Sequence, residues 1–180
     1  MRDEDLVEEF LSGSEDAFDM LMSKYEKPVY LMVRAMTRDV EEARDITQRA
    51  FIKAFRGIKG LRERSRFKNW LYRIAVNLTR DHIRTRKDEA DIDSLVVTDG
   101  RSSPEKELID RDIIEKTKGF IGNLPPRQRE VVILRIFRGM TFVEMSRILD
   151  VQPESLRANF HFGIKSLREY LRKGGIDHEM

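Results

Sequence analysis

Cysteine is absent from the 180 residues, which excludes a disulfide framework, a thiol nucleophile and a thiolate metal site. The three histidines, His82, His161 and His178, stand far apart, and no pair has metal-ligand spacing. Glycine and proline are sparse, at ten and five residues, which favours helices throughout. No apolar run approaches the roughly 18 residues of a membrane span, and acidic residues occupy the N-terminus where a signal peptide needs basic ones. Candidate carboxylates for hydrolytic chemistry, Asp45, Asp81 and Glu144, fall on separate expected helices without a paired carboxylate or a His motif. The expectation is a cytoplasmic protein with no catalytic residues, no bound metal and no cofactor.

What the chain has is charge, unevenly placed. Charged residues make up 37% while the net charge is only +2, so local concentrations must compensate one another. Residues 56–87 hold eleven basic residues against two acidic, a net of plus nine; residues 1–26 hold two basic against nine acidic, a net of minus seven. The positive stretch asks for a polyanion. From Phe67, apolar residues recur at Trp70, Leu71, Ile74, Ala75 and Leu78, the spacing of one buried helix face. At about 100° per residue, Asn69, Arg73, Asn77, Arg80 and Arg84 gather on another face, with Tyr72, Val76, Thr79 and Ile83 in a stripe between. Amides and guanidinium groups on one face read base edges as well as phosphates. Lys59, Arg62, Arg64 and Arg66 form a basic approach to this helix, and Ser65 is placed as its N-cap. Taken alone, the same face also fits a solvated Arg-rich surface on a core helix.

In chain order, Leu6, Val7, Phe10 and Leu11 predict a short helix ending at Gly13, with Ser14 capping the next. That second helix is expected to bury Phe18, Leu21, Met22 and Tyr25 and to continue, kinked at Pro28, through Val29, Leu31, Met32 and Met36. Residues 40–58 give the clearest three-four spacing: Ala43, Ile46, Thr47, Ala50, Phe51, Ala54, Phe55 and Ile58. Its other faces, with Glu41, Glu42, Arg44, Asp45, Gln48, Arg49 and Lys53, carry mixed charge, fitting either a protein partner or plain solvent. Residues 88–103 read as an acidic linker with one apolar cluster at Leu95, Val96 and Val97. Ser103 and Pro104 then open a helix.

Leu124, Pro125 and Pro126 start another helix through Val131, Val132, Leu134 and Ile136, which Gly139 ends. Thr141 and Glu144 form a capping box for a short helix holding Met145, Ile148 and Leu149. A turn at residues 150–152 leads to a long helix from Pro153 with a seam of Leu156, Phe160, Gly163, Ile164, Leu167 and Leu171. Short helix, three-residue turn and longer helix make a helix-turn-helix. Glu154, Ser155, Ala158, His161, Phe162 and Lys165 point away from the seam, with Arg157 and Arg168 at its margins. Ala158 and Phe162 suit thymine methyl groups; Arg157 and Lys165 suit phosphates. A helical hairpin used only for packing fits the same pattern, and Phe162 also suits a protein interface. The fold class expected is all-α: two small helical domains, 1–87 and 104–180, joined by the acidic linker.

Three stretches, EEARDITQRAFIKAF from Glu41, FKNWLYRIAVNLTRDHIRTRK from Phe67, and LPPRQREVVILRIFRGMTFVEMSRILDVQPESLRANFHFGIKSLREYL from Leu124, resemble in order and spacing a bacterial sigma factor of the extracytoplasmic-function (ECF) class. The resemblance implies RNA polymerase core and promoter DNA as partners. It assigns Asp45, Gln48, Arg49 and Lys53 to the polymerase clamp coiled coil. It assigns Lys59, Arg62, Arg64, Arg66, Asn69, Arg73, Asn77, Arg80 and Arg84 to the −10 element, held as a single strand with a flipped base. The helix-turn-helix, through Glu154, Ser155, Arg157, Ala158, His161, Phe162 and Lys165, would read the −35 element in the duplex and touch the polymerase flap. An anti-sigma factor is a further partner that such proteins often have. The chain departs from the family pattern at Arg49, usually Glu, at Asp150, usually a small Gly turn, and at Phe162, usually basic. A stand-alone helix-turn-helix regulator would account for residues 124–171 but leave residues 40–87 without a role.

Overall fold

The computed structural model describes residues 1–90, 121 and 123–173, with the side chains of 87–90 excepted, and among the described residues there are helices and no strand. The chain divides into two compact units. The first holds α1 (Asp3–Leu11), α2 (Glu15–Thr37), α3 (Val40–Gly57) and α4 (Phe67–Ala90).

Local chemistry sets the corners of this unit. Gly13 follows α1 at φ +109°, a conformation closed to most side chains. Ser14 occupies the N-cap of α2 without making a side-chain cap bond. α2 runs through Pro28 and stops at Arg38, whose φ of 67° is left-handed. Asp39 caps α3, its carboxylate accepting from the Glu42 amide at 2.9 Å. Two 3-10 turns, Ile58–Gly60 and Arg64–Arg66, lead to α4, so Ser65 lies inside a turn rather than at the cap.

Val7, Leu21, Val29, Met32, Ile46, Ala50, Ile58, Phe67 and Leu71 are buried at the centre of the unit. Each of the larger ones contributes about 1.5–3 kcal/mol by leaving water. Phe10, Phe18 and Phe55 meet with ring centroids 5.1–5.3 Å apart, so Phe55 packs although 45% exposed. The Tyr25 hydroxyl donates to the Asp3 carboxylate, tying α2 to α1; burial first, then that bond, pushes its phenol above the usual tyrosine range. Met22 and Leu31, expected inside, are exposed.

α4 departs most from expectation. Tyr72, Val76 and Thr79, the intermediate stripe, are buried, while Trp70, Ile74 and Leu78 are only half-buried. The buried face is turned roughly a quarter of the way round the helix. Aromatic packing supplies the reason: Tyr25 lies 5.9 Å from Phe67 and 6.5 Å from Tyr72, drawing the 67–72–76–79 side inward. Thr79 tolerates burial because its hydroxyl donates to the Ala75 carbonyl at 2.8 Å. α4 also runs through Ala90, three residues into the expected linker. The rest of that linker, and nearly all of the helix expected from Pro104, lie outside the described residues.

In the second unit, α5 (Pro126–Val132) passes into a π-helical turn, Ile133–Phe137, where the sequence predicts one regular helix. The widened turn rotates Ile136 and Phe137 outward, to 50% and 41% exposure, although Ile136 was expected inside. Gly139 ends it at φ +62°. α6 (Phe142–Leu149) carries the expected capping box: Thr141 Oγ1 accepts from the Glu144 amide at 3.2 Å and Glu144 Oε2 accepts from the Thr141 amide at 2.8 Å. Asp150, at φ 55°, makes the left-handed turn toward α7 (Pro153–Lys173). Leu156, Gly163 and Leu167 of α7 are buried, as the seam predicts; Phe160, Ile164 and Leu171 are half-buried.

Candidate nucleic-acid interface

The basic stretch presents its charge outward. Lys59, Arg62, Arg64 and Arg66, on the turns before α4, are all exposed. Arg64 lies 3.7 Å from Glu8 of α1, a loose ion pair. On α4, Arg73, Asn77 and Arg84 are exposed; Asn69 and Arg80 are half-buried at the border of the same face. The five α4 residues recur at helical spacing on one face of the helix, and the four cations precede it in the chain. The Asn69 side-chain oxygen is buried without a hydrogen-bond partner among the described residues.

Glu42, half-buried at the start of α3, ties that helix to the C-terminal part of α4. Its carboxylate accepts from Arg86 at 3.1 Å and lies 3.2 Å from His82 Nε2. Sequence periodicity put Glu42 on a solvated surface; a contact across 44 positions has no local signature.

Asp45, Gln48, Arg49 and Lys53 are exposed together on α3, away from its buried stripe, with Asp45 and Arg49 paired at 3.2 Å. Beside them runs a groove between α2 and α3, about 990 Å³, lined by Phe18, Met22, Phe51, Ile52 and Phe55. Ile52 and Phe55 are 43% and 45% exposed there. An apolar floor edged by charge is what a protein partner needs. The apolar part went unread because Met22 and Phe55 fit the core spacing.

In the second unit, Glu154, Ser155, Arg157, Ala158, His161, Phe162 and Lys165 are all exposed on α7, opposite the buried seam. Arg157 pairs with Glu154 at 3.1 Å, and His161 meets Phe162 edge-on at 5.9 Å. At 55% exposure, Phe162 is a large apolar group kept in water. No group of metal-ligating side chains occurs among the described residues, and none of the described helices is long and apolar enough to cross a membrane.

Comparison with known proteins identifies both units. Residues 21–89 match the family Sigma-70 region 2, and residues 118–167 match Sigma-70, region 4. The chain is 30% identical over 178 residues to the ECF RNA polymerase sigma factor SigW of Bacillus subtilis, covering 92% of this chain and 95% of that protein. It is 31% identical over 169 residues to the RNA polymerase sigma-H factor of Pseudomonas aeruginosa, covering 87% of each. Among solved structures it resembles CnrH in complex with the cytosolic domain of CnrY, at TM-score 0.73 and 21% identity over 95% of this chain and 97% of that one. It also resembles the sigma factor RpoE of Bartonella quintana, solved with the anti-sigma factor NepR, at TM-score 0.76 and 18% identity over 86% of this chain and 96% of that one.

Proposed function

Because the chain belongs to the ECF RNA polymerase sigma factors, alternative factors that direct the polymerase to promoters, we propose a division of labour between its parts. Residues 1–87 bind the polymerase core and read the −10 element. Residues 88–103 are the acidic linker, suited to polymerase channels that otherwise hold nucleic acid. Residues 104–180 read the −35 element and touch the flap.

For the −10 element, Lys59, Arg62, Arg64 and Arg66 hold backbone phosphates of a melted strand, while Asn69, Arg73, Asn77, Arg80 and Arg84 meet its unstacked bases. For the −35 element, Ala158, His161 and Phe162 face base edges in the major groove, with Glu154 and Ser155 beside them, and Arg157 and Lys165 hold phosphates. Asp45, Gln48, Arg49 and Lys53 dock on the clamp coiled coil. An anti-sigma factor, as NepR is for the sigma factor RpoE in its solved complex, would cover Phe162. The site of action is the cytoplasm, and no catalytic chemistry is assigned to the chain.

The observation that supports this reading is the run of exposed cations, Lys59, Arg62, Arg64, Arg66, Arg73 and Arg84, on a unit matching region 2. Its test separates strand opening from duplex binding. Asn77→Ala and Arg80→Ala are expected to reduce permanganate-reactive open complex by about tenfold while closed-complex affinity changes less than about twofold, the cost of one or two base contacts. Equal losses in both assays would remove the single-strand role.

A further inference from the structure

Phe142, the first residue of α6, stands between two guanidinium groups. The Arg135 carbon is 5.2 Å from the ring centroid and the Arg157 carbon 5.7 Å, both inside the roughly 6 Å reach of a cation–π contact. The two arginines differ in what else holds them. Arg135 is anchored, donating to the Met140 carbonyl at 2.8 Å. Arg157 pairs with Glu154, one turn earlier on its own helix at 3.1 Å, its one ion pair among the described residues, and both of those side chains are more than half exposed. An exposed pair of that kind orders a side chain weakly. The Phe142 ring is the contact Arg157 makes across the turn between the two helices.

The ring is itself held. The capping box of Thr141 and Glu144 fixes the backbone at the start of α6, and Phe160 meets Phe142 edge-on at 5.9 Å from the next turn of α7. Phe142 is half-buried. We propose that Phe142 is a positioning residue that stacks Arg157 into its DNA-binding orientation, so that a residue on the first helix of the helix-turn-helix tunes contact by the second. This rests on Arg157 meeting promoter DNA. Ordering Arg157 in the free protein reduces the rotamer freedom lost on binding. The same stack disfavours alternative directions of the guanidinium, which limits the backbone positions it reaches.

A double-mutant cycle tests this with holoenzyme and a labelled duplex fragment from a promoter that it transcribes, reading closed-complex Kd in the cold. Phe142→Leu is expected to weaken binding about two- to fivefold, the loss of one cation–π contact. Phe142→Tyr, which keeps the ring, is expected to bind like the parent. In the Arg157→Ala background, Phe142→Leu is expected to have no further effect, because the group it orients is gone. If Phe142 serves only packing, Phe142→Leu weakens binding equally in both backgrounds, and the proposal falls. It falls as well if Phe142→Tyr binds as poorly as Phe142→Leu. If Arg157→Ala alone leaves affinity unchanged, the placement of Arg157 on DNA fails first and takes the platform with it. Should Phe142→Leu not fold, Phe142→Met keeps more of the side-chain volume without the ring, and the same comparison is made with it.

Discussion

At the scale of single residues, Gly163 shows how closely two helices of the second unit approach. A Cβ placed there would lie 2.8 Å from Val132 Cγ2 and 3.6 Å from the Gln128 Cβ. Two effects of Gly163→Ala oppose each other: alanine gains about 1 kcal/mol in helix propensity, and overpacking costs about 1–3 kcal/mol. Val132 is fully buried and β-branched, so it cannot swing aside, and overpacking wins. Gly163→Ala is expected to lower the thermal midpoint of the second unit by several degrees, read by calorimetry; an unchanged or higher midpoint would mean that α5 yields. The periodicity placed Gly163 on the seam, but only the distance to α5 explains why no side chain fits. Asp150 is a parallel case. The ECF pattern prefers a Gly turn there, and Asp150 does adopt the left-handed conformation, at φ 55°, which its short polar side chain tolerates.

Among elements, α6 is the shortest α-helix of the helix-turn-helix, eight residues from Phe142 to Leu149, too short to stand by propensity alone. Its cap therefore matters more than that of α2, where Ser14 makes no side-chain bond. Thr141→Ala is expected to destabilise the unit by about 1 kcal/mol, and Thr141→Ser to restore most of it, as measured by urea unfolding. A Thr141→Ala variant as stable as the parent would show the capping box to be dispensable. This box was legible in the sequence because it is local, two residues three apart. The three-four spacing of α3 was legible for the same reason, and Ala43, Ile46, Thr47, Ala50, Phe51 and Ala54 are buried as it predicts. The buried face of α4 was misread because apolar residues lie on two sides of that helix, and the choice between them was made by Tyr25, over forty positions earlier. The π-helical turn at Ile133–Phe137 has no local signal either, and it exposes Ile136, which the sequence pattern places inside. At the candidate interfaces, the charged residues were readable from position alone, whereas the apolar groove of Met22, Ile52 and Phe55 and the stack of Arg157 on Phe142 exist only once helices are packed.

For the whole molecule, the near-neutral balance conceals the organisation that matters. Acidic residues gather before residue 27, basic ones between 56 and 87, and the segment 127–173 carries ten basic residues against five acidic. Matches to region 2 and region 4 fall on the two positive segments, which suits a factor that brings a polymerase to DNA. This chain directs RNA polymerase to promoters, and run-off transcription reads that activity itself. Purified core enzyme is mixed with a pool of genomic promoter fragments, with and without the protein, and the transcripts are sequenced. Discrete transcripts that require both core and this chain, with start sites sharing two upstream elements, are the expected result. Duplex binding by the chain alone, with no stimulated transcript from a core that is active with another sigma factor, would contradict the account and leave a stand-alone DNA-binding regulator.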